Sequence, residues 1–247
     1  MFHLAELFQA DGKNVLLYGF GNFPLNHQLN QTTDLSTALT FSDIVICPLP
    51  FTKDEKHIQA PFHKDQIKIE ELIEKTNQHT HFFAGHVPKL WKDRFKEAKV
   101  SLVDYFLREE LQILNAIATV EGTIQQAMEI TDITLHRSRI FIFGYGRIGK
   151  LLADQLAGLG AHVSVVVRKK EDIAWIMARG HNPIYYDSVQ SEIKNAKLII
   201  NTVPAQIMNE EIEKIESITA ELLFLTKPLT DHKRVESINS MIQDVLL

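Results

Sequence analysis

The sequence predicts an α/β fold with two Rossmann-like units, each built from three layers and joined by a long linker helix. Two observations predict this class. Apolar runs of strand length alternate with helix-like segments along most of the chain, which is typical of parallel sheets covered by helices. One such run, residues 140–143, leads directly into the pattern G-x-G-x-x-G at Gly144, Gly146 and Gly149. A strand, a glycine turn and a helix in this order favour a doubly wound parallel sheet that binds a dinucleotide.

The N-terminal domain is expected over residues 1–106 and has the weaker α/β pattern. Its predicted strands cover residues 14–20, 44–49, 81–84 and 100–105, and its predicted helices cover residues 34–41, 69–78 and 89–98. Gly19 and Gly21 form a second glycine pair, but Pro24 interrupts any helix after them. An ordinary turn is therefore favoured there over a phosphate loop.

A linker helix is predicted over residues 107–131. Apolar side chains recur there at nearly helical spacing, at Leu111, Leu114, Ile117, Ile124 and Met128. The pattern fits one long helix, and it also fits two helices that meet near residues 118–122. In either case we expect this segment at the mouth of the ligand cleft.

The glycine turn carries the cofactor prediction. Gly144 permits the tight turn off the strand, Gly146 leaves room for a pyrophosphate, and Gly149 lets the helix pack closely on the strand. The new helix begins at Arg147 and Ile148. Backbone N–H groups without intrahelical partners and the positive end of the helix dipole favour phosphate there. These five residues form the predicted pyrophosphate site.

The end of the next predicted strand, residues 162–168, indicates which dinucleotide is bound. NAD-specific folds place a carboxylate there to bind the ribose 2′-hydroxyl. This chain instead has Arg168 and Lys169, followed by another lysine. A guanidinium offers planar donors to a 2′-phosphate, which a carboxylate would repel. The cationic run favours NADP over NAD, and a solvated basic turn is the alternative interpretation.

The C-terminal NAD(P)-binding domain is expected over residues 132–247. Its further predicted helices cover residues 172–179, 188–195 and 210–216, and its further strands cover residues 183–186, 197–203 and 221–226. Asn201, Thr202 and Pro204 lie at the end of one of these strands. Ligands of doubly wound sheets bind beyond the carboxyl ends of the strands, so we expect this turn to approach the cofactor. An ordinary proline-terminated loop is the alternative.

The composition limits the possible functions. A chain of 247 residues holds two domains of ordinary size, and a formal charge of −5 gives no reason to expect nucleic-acid binding. The single cysteine, Cys47, argues against disulfides and a cysteine-rich metal site, and it suits a reducing cytoplasm. No signal peptide or apolar run of membrane-spanning length is visible. We expect a cytoplasmic protein without a metal, a membrane or a nucleic acid as partner.

Three motifs together carry a family resemblance. They are residues 107–110 with 114–123, the glycine turn, and residues 199–205. In order and spacing they resemble the family of dipicolinate synthase A-subunits over roughly residues 103–210. The N-terminal third is similar to that family only loosely. The cofactor domain is also similar, more distantly, to that of 2-hydroxyacid dehydrogenases.

The resemblance implies a two-domain sporulation protein that acts together with a flavoprotein-like B-subunit. Such a pair is associated with forming pyridine-2,6-dicarboxylate from an intermediate of the dihydrodipicolinate pathway. The chain would then be an NADP-dependent oxidoreductase acting on a small cyclic dicarboxylate, with the hydride chemistry supplied by the cofactor.

The sequence departs from the family pattern in four places. The chain starts near Met1, within the family's first helix, and it ends at Leu247, where the family continues. In the linker signature, Ala118 stands where the family has a proline. Residues 223–231 stand where the family has an Asp-containing strand end and a Gly-Gly turn. Exposed sheet edges would follow, so we expect a homo-oligomer or a chain paired with a partner. The alternative function is a non-catalytic NAD(P)-binding paralogue with a regulatory or assembly role.

Thr119 and Glu121 are the predicted catalytic residues. The reacting ring is expected between them and the turn at residues 201–204. Glu121 is the candidate proton acceptor, and Thr119 is the candidate hydroxyl donor to a substrate carboxylate. In the competing interpretation Thr119 caps a helix that begins beside it, and Glu121 lies in the first turn of that helix.

Overall fold

The computed structural model describes residues 1–23, 29–203 and 221–224, the last of these as backbone only. The chain divides into two compact units. The first unit begins at Met1 and its boundary with the second falls between Gln112 and Ile113, within a long helix.

The first unit has parallel strands that alternate with helices. Its helices are α1 (Phe2–Ala10), α2 (Leu35–Thr40), α3 (Ile69–Glu74) and α4 (Lys89–Glu97). Its strands are β1 (Leu16–Tyr18), β2 (Asn30–Thr32), β3 (Ile44–Ile46), β4 (His81–Ala84) and β5 (Ser101–Asp104). Strands β3, β4 and β5 form one parallel sheet in that order, and β1 pairs in parallel with β2. The predicted elements are confirmed, β4 with the predicted bounds and the others with shorter bounds, whereas the polar strand β2 has no apolar alternation to predict it.

Aromatic side chains fill the core of this unit. Phe82 of β4 packs edge-on against Phe95 of α4, with ring centroids 5.1 Å apart. Phe51 meets the same α4 ring at 6.3 Å. All three rings are fully buried, so α4 is held against the sheet by a continuous apolar contact.

Helix α5 (Glu109–Ile130) is one continuous helix. The alternative of two helices meeting near residues 118–122 is therefore wrong. Within α5, the hydroxyls of Thr119 and Thr123 each donate to the carbonyl oxygen four residues earlier. Val120 and Ala127 are fully buried and pack in the core of the second unit.

The second unit contains one five-stranded parallel sheet. Its strands are β6 (Arg139–Phe143), β7 (His162–Val167), β8 (Asn182–Tyr185), β9 (Leu198–Asn201) and β10 (Glu221–Phe224). Its helices after α5 are α6 (Arg147–Gly158), α7 (Lys170–Ala178) and α8 (Val189–Glu192). The strand order is β10-β9-β6-β7-β8. The chain builds outward from β6 through β8 and then returns to β9 on the other side of β6. The carboxyl ends of β6 and β9 are thus the point where the strand order reverses, which is where such sheets bind ligands.

Strand β6 is buried on both faces, as a central strand of a three-layer domain must be. Ile140 and Ile142 belong to the core cluster that includes the α6 side chain Leu152. Phe141 and Phe143 belong to the cluster on the opposite face. The doubly wound fold expected from the sequence is therefore present.

Two sequence expectations are changed or left open by the second unit. The helix predicted over residues 188–195 is broken, because the short α8 lies between two 3-10 turns, Tyr186–Ser188 and Ile193–Asn195. The helix predicted over residues 210–216 lies outside the described residues. Within residues 1–23, 29–203 and 221–224, no helix combines the length and hydropathy needed to cross a bilayer.

Candidate functional site

The turn after β6 depends on a glycine with left-handed backbone geometry. Gly144 has φ of +102°, a region that side-chain-bearing residues rarely adopt. A Cβ atom placed there would lie 2.7 Å from both Thr202 Oγ1 and Val203 Cγ1. The backbone N–H of Gly144 donates to the Val166 carbonyl oxygen at 3.0 Å, which joins the turn to β7. Glycine at position 144 therefore permits both the backbone conformation of the turn and the close approach of the loop after β9.

Gly146 and Gly149 are glycines for opposite reasons. A Cβ atom on Gly146 would have no atom within 4 Å, so this position borders open space. A Cβ atom on Gly149 would collide with the Gly144 carbonyl group. Gly149 thus allows α6 to pack against the turn, while Gly146 leaves the space in front of the helix clear. This geometry fits a pyrophosphate at the turn.

The N-terminus of α6 faces the same turn. Gly146 is its N-cap residue and has no side chain to satisfy the first N–H groups, which belong to Arg147, Ile148 and Gly149. No acidic side chain lies in the first turn. The positive end of the helix dipole is therefore uncompensated by a carboxylate within α6, which suits an anionic ligand.

The loop after β9 is tied to the end of β6. Asn201 is 1% exposed, and its Oδ1 accepts a hydrogen bond from the Val203 N–H at 3.0 Å. Its Nδ2 has no hydrogen-bond partner among the described residues. Leaving such a buried donor unpaired costs about 1–3 kcal/mol, and exceptions of this kind call for an explanation such as a functional role. Asn201 and Thr202 thus lie beside the glycine turn, while Pro204 falls outside the described residues.

The cationic residues lie at the carboxyl end of β7. Arg168 follows the last residue of β7, and Lys169 is the N-cap residue of α7. Both are exposed. The Arg168 guanidinium carbon lies 4.4 Å from the centroid of the Tyr186 ring. No sequence pattern pointed to Tyr186, which is distant along the chain from Arg168.

Thr119 and Glu121 lie inside α5 rather than at a helix start. The interpretation that Thr119 caps a new helix is wrong, because the helix begins earlier, at Glu109. The Thr119 hydroxyl donates to the Asn115 carbonyl oxygen at 3.3 Å, and Glu121 is exposed. Neither side chain hydrogen-bonds to the loop after β9 in the part of the chain that the structure describes. A catalytic role for these two residues remains a prediction.

The N-terminal residues match a known family. The sequence model for the N-terminal domain of the dipicolinate synthase A-subunit matches residues 1–106. The A-subunit of dipicolinate synthase from Bacillus subtilis (strain 168) is 32% identical over 184 residues, which are 74% of this chain and 61% of that protein. The chain belongs to the dipicolinate synthase A-subunit family. It spans less than two thirds of the length of this relative.

The cofactor domain has its own match. The model for the NAD-binding domain of D-isomer-specific 2-hydroxyacid dehydrogenases matches residues 107–227. The chain therefore carries a nicotinamide dinucleotide-binding domain of the oxidoreductase type. The glycine turn and the Asn201–Thr202 pair both lie within this match.

Solved structures agree with the family on the fold. The A-subunit of dipicolinate synthase from Bacillus halodurans superposes with a TM-score of 0.81 at 24% identity, covering 99% of this chain and 92% of that one. The corresponding chain of dipicolinate synthase from Bacillus subtilis gives 0.75 at 23% identity, covering 98% and 89%. A transhydrogenase from Sinorhizobium meliloti gives 0.57 at 15% identity, covering 82% and 64%.

Proposed function

We propose that this chain is an NADP-dependent oxidoreductase of the dipicolinate synthase type. Its substrate would be a small cyclic dicarboxylate, an intermediate of the dihydrodipicolinate pathway, and its product pyridine-2,6-dicarboxylate. The observation that carries the proposal is the turn at Gly144–Gly149, where Gly146 borders open space at a helix N-terminus without a carboxylate. Family membership supplies the substrate class, and the cationic end of β7 supplies the preference for NADP.

In this proposal the glycine turn holds the pyrophosphate and Arg168 with Lys169 holds the 2′-phosphate. The nicotinamide ring, when bound, takes up the hydride. Asn201 and Thr202 lie at the crossover of the sheet and would contact the cofactor there, since ligands bind beyond these strand ends. The Nδ2 of Asn201, which has no partner within the described part of the chain, supports this role, because a ligand acceptor would satisfy it. Pro204 would belong to the same loop.

The NADP preference can be tested by removing the guanidinium. Arg168→Ala should weaken NADPH binding by about 1–3 kcal/mol, the scale of a charged hydrogen bond, and weaken NADH binding much less. Fluorescence titration with each cofactor measures this difference. Arg94→Ala is the matched control, because it removes an exposed arginine from the first unit. Equal losses for NADPH and NADH in Arg168→Ala would remove the basis for NADP selectivity.

The proton-transfer step is assigned to Glu121, with Thr119 as donor to a substrate carboxylate. Glu121→Gln keeps the shape of the side chain and removes the base. We expect a rate loss of roughly a hundredfold or more while cofactor affinity is retained. A lower melting temperature with near-normal turnover would instead assign Glu121 a structural role.

A non-catalytic NAD(P)-binding paralogue with a regulatory or assembly role is the second candidate. The Thr119 hydroxyl donates to the Asn115 carbonyl oxygen within α5, so in this structure it does not offer that proton to a substrate carboxylate. This observation favours the second candidate. Purified protein mixed with the B-subunit of a dipicolinate synthase, the intermediate and NADP separates the two candidates. Cofactor binding without dipicolinate formation would favour the paralogue.

The Bacillus subtilis relative is by its name one subunit of a synthase, which suggests that this chain also works with a second, flavoprotein-like subunit. We propose this association together with homo-oligomer formation. A cytoplasmic location and a part in sporulation belong to the same proposal. Light scattering on the purified chain, alone and with the B-subunit, measures both associations. A monomer over a wide concentration range would contradict self-association.

A further inference from the structure

The ring of Tyr186 supports the side chain that is proposed to recognise the 2′-phosphate. Strands β7 and β8 are parallel, and Val167 pairs with Tyr185 in their register. Arg168 and Tyr186 are the residues that directly follow this pair, so they lie side by side at the ends of neighbouring strands. The result is the 4.4 Å separation between the guanidinium carbon and the ring centroid.

Tyr186 is itself held in place. It is half-buried and packs against the core cluster formed by Phe141, Phe143 and their neighbours on the α8 side of the sheet. Its backbone begins the 3-10 turn Tyr186–Ser188, which fixes its direction from β8. The ring is therefore a fixed support for Arg168, whose side chain is exposed.

Stacking on an aromatic ring limits the directions in which a guanidinium can donate hydrogen bonds. All N–H donors of arginine lie in one plane and point outward from its edge. When one face of that plane is covered by an aromatic ring, the donors can point only sideways, and the second face stays available for stacking. A phosphate bonds to the edge, and a flat aromatic base stacks on the face.

We propose that Tyr186 is a positioning residue for cofactor selection. It orients Arg168 so that the guanidinium edge donates to the 2′-phosphate of NADP, while the outer face of the guanidinium stacks on the adenine ring. This inference rests on the proposed NADP function and adds to it the purine-binding end of the site. It also explains why a cationic residue can select phosphate although Glu171 and Asp172 lie in the first turn of α7. A guanidinium held in one orientation donates two directed hydrogen bonds to the phosphate, whereas a mobile positive charge beside carboxylates does not.

Two substitutions of Tyr186 isolate the ring from the hydroxyl. Tyr186→Phe keeps the aromatic face, and Tyr186→Leu keeps apolar packing without it. We expect Tyr186→Leu to weaken binding of NADPH and of the probe 2′,5′-ADP by roughly three- to tenfold. NADH and 5′-AMP, which lack the 2′-phosphate, should lose less, because only stacking is disturbed. Tyr186→Phe should bind all four compounds as the wild type does.

A double-mutant cycle shows whether Tyr186 acts through Arg168. In the Arg168→Ala background, Tyr186→Leu should cause no further loss of 2′,5′-ADP affinity. Arg168→Lys keeps the charge and loses the planar fork, so it should reproduce the Tyr186→Leu loss. This variant leaves the core untouched, and an unchanged affinity for 2′,5′-ADP in it would overturn the proposal even if Tyr186→Leu does not fold.

The outcomes separate this inference from the proposed function. Wild-type selectivity for NADPH with unchanged selectivity in either Tyr186→Leu or Arg168→Lys would overturn the role of Tyr186 and leave the NADP function standing. Equal losses for phosphorylated and unphosphorylated ligands would overturn it as well. Wild-type protein that binds neither dinucleotide, or that prefers NADH, would overturn both.

Discussion

Thr202 donates two hydrogen bonds to one carbonyl oxygen, that of Phe143. Its backbone N–H lies 3.0 Å and its hydroxyl 2.8 Å from that oxygen. Phe143 ends β6 and Thr202 follows β9, so the pair joins the two strand ends between which the strand order reverses. The same hydroxyl lies close to the positions that side chains on Gly144 and Gly149 would need. Thr202 thus links the loop after β9 to the glycine turn.

The Thr202 hydroxyl should contribute measurably to the stability of this junction. Thr202→Val keeps the shape and removes one donor, so we expect the free energy of unfolding to fall by about 1 kcal/mol. NADPH affinity should fall several-fold because the loop is held by one hydrogen bond instead of two. Denaturant titration and fluorescence titration measure the two effects. Thr202→Ser keeps the hydroxyl and serves as the control; a Thr202→Val variant as stable and as tight in NADPH binding as the wild type would contradict the role of the hydroxyl.

Gly146 and Gly149, at the start of α6, should separate folding from binding. Gly146→Ala places a methyl group in open space, so the melting temperature should stay close to that of the wild type while dinucleotide binding is blocked. Gly149→Ala forces the turn and the helix apart, and we expect a loss of about 1–3 kcal/mol in the free energy of unfolding. Calorimetry and cofactor titration on both variants give the comparison. Normal cofactor affinity in Gly146→Ala would show that the pyrophosphate lies elsewhere.

Asp104 should make the first unit sensitive to acid. Burial raises the pKa of this carboxyl, but hydrogen bonds from Lys92 and from the N–H groups of Val87 and His86 outweigh burial and lower the pKa overall. The Lys92 ammonium lies 2.7 Å from Asp104, whose side chain is 5% exposed. A pKa that is lower in the folded chain adds stability above the unfolded value of about 3.9, and this stability is lost as the pH falls through the folded value.

Asp104→Asn tests this directly. We expect a loss of about 2 kcal/mol in the free energy of unfolding at pH 7, and a smaller decline of that free energy below about pH 4 than in the wild type. Denaturant titrations between pH 7 and pH 3 measure both. Asp93→Asn, an exposed neighbour on α4, is the control. An acid decline that is unchanged in Asp104→Asn would place the responsible carboxylates elsewhere.

Cys47 should be unreactive in the folded protein. It is buried after β3, and burial raises the pKa of its thiol to about 12. Because the thiolate is the reactive form, a disulfide reagent at pH 8 should modify the native chain at least ~100-fold more slowly than the unfolded chain. The rate is followed by absorbance with and without denaturant, and Cys47→Ala gives the blank. Rapid modification in native buffer would show that the end of β3 opens readily.

The arrangement of strands and helices was largely predictable because local patterns agree with the fold. The apolar run before Gly144 is a central strand, and its two faces are both covered, so every residue in it favours the same structure. The prediction was less accurate where local patterns were weak. The polar strand β2 was missed, and the helix expected over residues 188–195 is broken by 3-10 turns. The apolar spacing did not distinguish one long α5 from two helices, because both have the same helical period.

The sequence by itself determined the glycine turn. Its chemistry depends on consecutive residues, Gly144 to Gly149, because backbone freedom, the absence of side chains and a helix N-terminus are all local properties. The family resemblance came from this turn together with residues 107–110, 114–123 and 199–205. The tertiary structure alone decided which distant residues complete the site. Thr202 meets Phe143, and Tyr186 meets Arg168, only because parallel strands bring residues far apart in sequence to one edge of the sheet in a fixed register. That register is set by packing on both faces of the sheet, which no single segment of sequence contains.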